Sequence, residues 1–214
     1  HPDTFCILGH FDLQSPNREE IVKRWRERPG MLGFRFTFNE PHQKSWWTDG
    51  SLDWFWKACE RENLRVGLLA TGANIPLFGK IAERHPGLKM HIDHIGRGGG
   101  RADKKDDAAY ADLSNMLALA KLPNVAVKLS GAPSTSSQAY PYKNIHKYLQ
   151  QIVETFGPDR CFWGTDITRM PTHQIARRGV AWGCGGRRRR RRAGVRWGPR
   201  SGARGPAPSA RRNP

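Results

Sequence analysis

Short apolar runs alternate with longer amphipathic ones between residues 5 and 166 of the chain. Phe5–Leu8 is apolar and is followed by "SPNREEIVKRWRER", where Ser15 with Pro16, or Asn17 with Glu20, supplies a helix start. "MLGFRFTF" (31–38) has the aromatic, strand-like pattern of a sheet element. "SLDWFWKACEREN" (51–63) places Leu52, Phe55, Trp56 and Cys59 on one helical face. "LRVGLLA" (64–70) predicts a strand and "NIPLFGKIAERHP" (74–86) a helix that Pro86 stops. "LKMHIDH" (88–94) predicts the next strand, and a helix from about Asp106 to Lys121 sets Tyr110, Leu113 and Leu117 on one face. "NVAVKLS" (124–130), a helix around Tyr142–Phe156 and "RCFWGTD" (160–166) complete six strands and five helices.

Strict β-α alternation with short apolar strands predicts a parallel sheet covered by helices. An open doubly wound sheet would carry a glycine-rich phosphate loop directly after its first strand. Here the "GRGGG" at 96–100 follows a middle strand and lacks the G-x-G-x-x-G spacing, so it is expected to be a loop. A (β/α)8 barrel accounts better for the polar residues, because nearly every strand ends in one: His10 and Asp12, Arg35, Thr71, His94, Lys128 with Ser130, and Asp166. A barrel brings all these carboxyl ends to one mouth. The expected fold class is therefore α/β, an incomplete (β/α)8 TIM barrel with about six strands, lacking its first two.

His91 and His94 in "HIDHIG" are three apart, so on an extended strand they face opposite ways and only one would face the interior. His94, at the strand end, is the better candidate for the mouth; the alternative is a histidine hydrogen-bonded in a loop. Asp166 in "WGTD" is placed either to take a proton from an attacking water or hold a metal, or to cap a helix. Arg35 in "GFRF" and Lys128 in "VKLSG" are cations within apolar strands. Each needs an anion, which is either an internal aspartate or a substrate carboxylate. Trp46–Trp47 sits in a loop placed to cover the mouth.

"GFRF", "HIDHIG", "VKLSG" and "RCFWGTDITRMP", in this order and spacing, resemble the amidohydrolase-related (amidohydrolase 2) TIM-barrel family. Lactonases, a pyrone-dicarboxylate hydrolase and metal-dependent decarboxylases belong to it. The resemblance runs from about Phe5 to Pro171. It implies that His94 binds metal or polarises a substrate carbonyl and that Asp166 activates water, both being candidate metal ligands. Arg35 and Lys128 would hold a substrate carboxylate or carbonyl. The implied reaction is hydrolysis of a lactone or related cyclic ester, a small-molecule substrate. The implied cofactor is a divalent metal such as zinc, or none, as some members need no metal. The family's opening H-x-H pair is absent from this chain. The expectation is thus a truncated member whose chemistry the chain does not complete, leaving it inactive.

Charge is concentrated in one place. Of the 36 basic residues, 13 arginines lie in 173–214, where there is no lysine or acid, leaving 23 basic against 19 acidic residues over 1–172. The net charge of +17 therefore says little about the body. The expected organisation is a partial hydrolase domain over 1–172 and a disordered Arg/Gly-rich tail over 173–214. A stretch of Gly, Arg, Ala, Pro and Trp without acids is what a GC-rich coding sequence yields in another frame, so a frameshift near Thr172 is expected. The rival reading is a nucleic-acid-binding arm; nothing in the body resembles a recognition module, so adventitious binding by the tail is the expectation. Cys6, Cys59, Cys161 and Cys184 are scattered without a C-x-x-C pair, which predicts reduced thiols and a cytoplasmic protein. No membrane partner is expected, since no apolar run approaches the ~18 residues of a membrane span.

Overall fold

The computed structural model describes residues 5–98, 103–164 and 166. Six strands lie within them: β1 (Ile7–Gly9), β2 (Met31–Phe36), β3 (Arg65–Leu68), β4 (Met90–Ile92), β5 (Val125–Leu129) and β6 (Cys161–Trp163). All pair in parallel, and their order in the sheet is their order in the chain. Between them run α1 (Arg18–Lys23), α2 (Asp53–Arg61), α3 (Asn74–Arg84), α4 (Asp106–Ala109), α5 (Leu113–Leu117) and α6 (Lys143–Phe156). This is an incomplete (β/α)8 barrel, as the alternation predicts. The expected basic tail, 173–214, and its alternative readings lie outside the described residues.

The helices pack through the faces their periodicity sets. Leu52, Phe55, Trp56 and Cys59 are all buried, as are Ile75, Phe78 and Ile81 of α3 and Ile145, Ile152 and Phe156 of α6. Strand residues Val66, Leu68, Ile92, Val125 and Val127 are fully buried, as expected for a sheet covered on both faces. Around β2 the core is aromatic: Phe34 packs with Phe11, Trp25, Phe36 and Phe55 at centroid distances of 4.2–6.2 Å. Trp25 Nε1 donates to the Gly33 carbonyl at 3.0 Å, so the burial leaves no orphaned indole N–H there. Gly33 is required where it stands, because a Cβ would overlap the backbone of Arg65 on β3.

The single helix expected over 106–121 is broken into α4, α5 and a 3₁₀ turn at Ala118–Lys121. Its own side chains explain the break. Tyr110 is buried at the first interruption, stacked on Tyr148 at 4.1 Å with its hydroxyl on Thr135 Oγ1 at 2.8 Å. Asp112 is drawn to Arg97, 2.8 Å away. These tertiary contacts outweigh the continuous helical repeat. Cys59 and Cys161 are free thiols, in line with the expectation; Cys184 lies outside the described residues. No helix among the described residues is long and apolar enough to cross a membrane.

Replacing Phe34 by alanine should lower stability by about 3–5 kcal/mol, since the rigid aromatic cluster cannot collapse into the space. Urea unfolding followed by tryptophan fluorescence measures this; a change below about 1 kcal/mol would show that the cluster does not anchor the fold.

Candidate active site

The site is assembled where the strands end. Asp93 directly follows β4, is fully buried, and is the meeting point of three other elements. Arg35 on β2 donates from Nε to Asp93 Oδ2 at 2.7 Å. Lys128 on β5 brings Nζ to 3.6 Å from Asp93 Oδ1, and His91 on β4 brings Nε2 to 3.4 Å from the same oxygen. Burial alone would raise the carboxyl's pKa. The His91 imidazole beside the same oxygen and the charges of Lys128 and Arg35 overcome that and hold it far below the carboxylate range. Asp93 is therefore an anion at all ordinary pH values. It is the internal partner that the two strand cations require, and it leaves Arg35 with a side chain 38% exposed.

His94 owes its position to the backbone after β4. His94, Ile95 and Gly96 have φ values of 50°, 52° and 67°, three left-handed residues in succession. For β-branched Ile95 this is costly, on the order of 1–3 kcal/mol, and such strain concentrates at functional sites. Because the strand ends at Ile92, simple alternation no longer governs the histidines. His91 Nε2 lies 3.4 Å from Asp93, and His94 Nε2 lies 3.9 Å from Asp166 beyond β6. Gly67 on β3 gives His91 its space, since a Cβ there would collide with the imidazole.

The His94 ring lies between two partners. Nδ1 is 2.7 Å from the hydroxyl of Ser130, a fully buried residue just after β5, and Nε2 is 3.9 Å from Asp166 Oδ1 beyond β6. Burial, foremost, and the Lys128 and Arg35 charges lower the His94 pKa against the opposing pull of Asp93 and Asp166. The imidazole is neutral at pH 7. The four residues expected from the sequence thus fall into two neighbouring groups, Arg35 and Lys128 on Asp93, and His94 beside Asp166, joined through the Asp93–His94 peptide bond. Asp93 anchors the first group and Ser130 backs His94 in the second; sequence reasoning assigned Asp93 no role and marked Ser130 only as a polar strand-end residue.

Beside this group a cavity of about 360 Å³ opens at the carboxyl ends of β1 and β2. His10, Asp12, Arg35, His42 and Trp46 line it, and Arg35 connects it to Asp93. The tryptophan pair divides its work: Trp47 is buried against Phe38, while Trp46 forms part of the cavity wall. As for a metal, no three His, Cys, Asp or Glu side chains converge among the described residues. Asp93 is already bound by cations, so His94 and Asp166 supply at most two donors. These residues alone do not fit a metal ion.

The family model described as Amidohydrolase matches residues 1–205. The chain belongs to the amidohydrolase family. The match runs beyond Pro171, where the motif-based resemblance ended. Among curated relatives, this amidohydrolase is 25% identical over 170 residues to an L-fucono-1,5-lactonase of Burkholderia ambifaria, covering 78% of this chain and 57% of the relative. It is 28% identical over 171 residues to a 4-sulfomuconolactone hydrolase of Hydrogenophaga intermedia, covering 75% and 52%. The chain thus spans little more than half the length of these relatives. In fold it is similar to an amidohydrolase of Burkholderia multivorans with bound zinc (TM-score 0.65, 22% identity, 80% of this chain and 63% of that one). It is also similar to a probable 2-pyrone-4,6-dicarboxylic acid hydrolase of Acinetobacter baumannii with citric acid bound (TM-score 0.56, 20% identity, 81% and 62%).

Replacing Asp93 by asparagine should destabilise the amidohydrolase by roughly 2–3 kcal/mol, less than a fully buried pair because Arg35 is partly exposed. A carboxylate with a depressed folded-state pKa contributes stability above its unfolded value near 3.9 and loses it on acidification. Wild-type stability should therefore fall below about pH 4, with that component missing from the asparagine variant. Denaturant midpoints between pH 2.5 and 7 measure both; parallel pH profiles for the two proteins would contradict the assignment.

Proposed function

We propose that this amidohydrolase carries the strand-end half of a site that hydrolyses a lactone or related cyclic ester bearing a carboxylate. The observation that carries the reading is the pairing of His94 and Asp166 across the mouth, 3.9 Å apart, beside two cations that a buried aspartate holds in place. The lactone-acting relatives support the substrate class. Arg35 is bound to Asp93 through Nε, which leaves its terminal NH₂ groups for the substrate carboxylate on the cavity side. Trp46 offers an apolar wall for the ring.

In this reading Asp166 accepts a proton from a water, whose oxygen forms a bond to the lactone carbonyl carbon. The carbonyl oxygen becomes an oxyanion, which a hydrogen bond from His94 and the charge of Lys128 stabilise. The ring C–O bond then breaks, the proton passes from Asp166 to the departing alkoxide, and a hydroxy acid remains. The described residues of this chain supply two donors, so no part of the reaction is assigned to a metal. Because the H-x-H pair implied by the resemblance is absent from this sequence, turnover by the chain alone is proposed to be low and substrate binding to be its more robust property.

Calorimetry with a carboxylated lactone tests the reading. Binding should weaken about 10- to 100-fold in Arg35→Ala, the loss of a charged hydrogen-bonded pair. Hydrolysis, at whatever rate the chain shows, should fall about 10²–10⁴-fold in Asp166→Asn with binding retained. A chain that neither binds nor hydrolyses any such lactone contradicts it.

A further inference from the structure

We infer that Ser130 is a positioning residue that holds neutral His94 with its proton on Nε2, so that the imidazole meets a substrate carbonyl as a hydrogen-bond donor. The inference rests on the functional reading above for its consequence, but on the hydroxyl–imidazole contact for its substance. Ser130 Oγ is 2.7 Å from His94 Nδ1, and the residue is fully buried. Its hydroxyl proton must therefore go to a protein acceptor, because an unmade buried hydrogen bond is more costly than a made one is favourable. The His94 nitrogen is the acceptor the structure provides for it. If His94 donated from Nδ1 instead, the serine proton would be left without an acceptor among the described residues.

The other side of the ring agrees. Nε2 faces the Asp166 carboxylate at 3.9 Å, too far for a hydrogen bond but close enough to favour a proton on that nitrogen. Two independent contacts, one from just after β5 and one from beyond β6, thus select the same tautomer. The left-handed turn at His94 and Ile95 is what delivers the ring to both. Roles then divide without overlap: Asp166 takes the proton from water, and His94 donates to the oxygen on which negative charge develops. The second nitrogen of a working histidine is commonly fixed in this way by a partner behind it.

Nitrogen-15 NMR of the full chain labelled at histidine, with the His94 signals assigned by their loss in His94→Gln, reads this directly. The expected result is a protonated Nε2 and an unprotonated Nδ1 whose shift carries the mark of an accepted hydrogen bond. Ser130→Ala, with folding checked by circular dichroism and melting, should move Nδ1 to the shift of an unprotonated nitrogen without a donor; Ser130→Thr, which keeps the hydroxyl, should restore it. Lactone hydrolysis should fall about 10- to 100-fold in Ser130→Ala with KM little changed. A proton on Nδ1 of the wild-type protein, or an Nδ1 shift indifferent to Ser130→Ala, overturns the inference. Absence of lactone binding with the tautomer in place would instead sink the proposed function and leave the control of His94 by Ser130 standing.

Discussion

The site depends on one buried carboxylate. Asp93 has no exposed surface, yet it draws Arg35, Lys128 and His91 from β2, β5 and β4 onto its two oxygens. An uncompensated anion in that position would be severely penalised, and so would either cation among apolar strand residues. Together they form a charge cluster whose members fix one another, and Asp93 has no reach to relax by swinging outward. The cluster ties three strands together at their carboxyl ends. Beside it, burial foremost lowers the His94 pKa, with Lys128 and Arg35 adding to that and Asp93 and Asp166 opposing it.

Backbone features make room for that arrangement. Gly67 lacks the Cβ that would strike His91, and Gly33 lets β2 pass against β3. After Ile92 three left-handed residues turn the chain so that Asp93 points into the cluster and His94 faces the mouth. A regular extension of β4 would have placed the two side chains on opposite faces. The strain in that turn is offset by the contacts it permits: the Asp93 cluster on one side and the Ser130 hydroxyl on the other.

The fold was largely legible in the pattern of the chain. Every strand lies inside the run that predicted it, apart from Gly9 at the end of β1, because short apolar runs between amphipathic ones mark parallel strands without reference to a partner. The helix expected over 106–121 was not legible in its broken form, since Tyr110 and Asp112 answer to Thr135, Tyr148 and Arg97, which are remote in sequence. The same holds at the site. His94, Asp166, Arg35 and Lys128 stood out as polar residues at strand ends, and an internal aspartate was one of the two anions the cations required. That it is Asp93 depends on contacts 58 and 35 positions away, and the placing of Ser130 behind His94 on one 36 positions away. A turn that breaks strand alternation also has no clear mark in sequence when two of its three left-handed residues are histidine and isoleucine.

A crystal structure of the chain with a carboxylated lactam, a ring that resists hydrolysis, tests the central claim most directly. The account predicts the lactam carbonyl oxygen on His94 Nε2, the carbonyl carbon facing Asp166, the carboxylate on the terminal nitrogens of Arg35, and Asp93 still bound to Arg35 Nε. A lactam seated away from these strand ends, or an Arg35 that leaves Asp93 to meet it, would contradict the account.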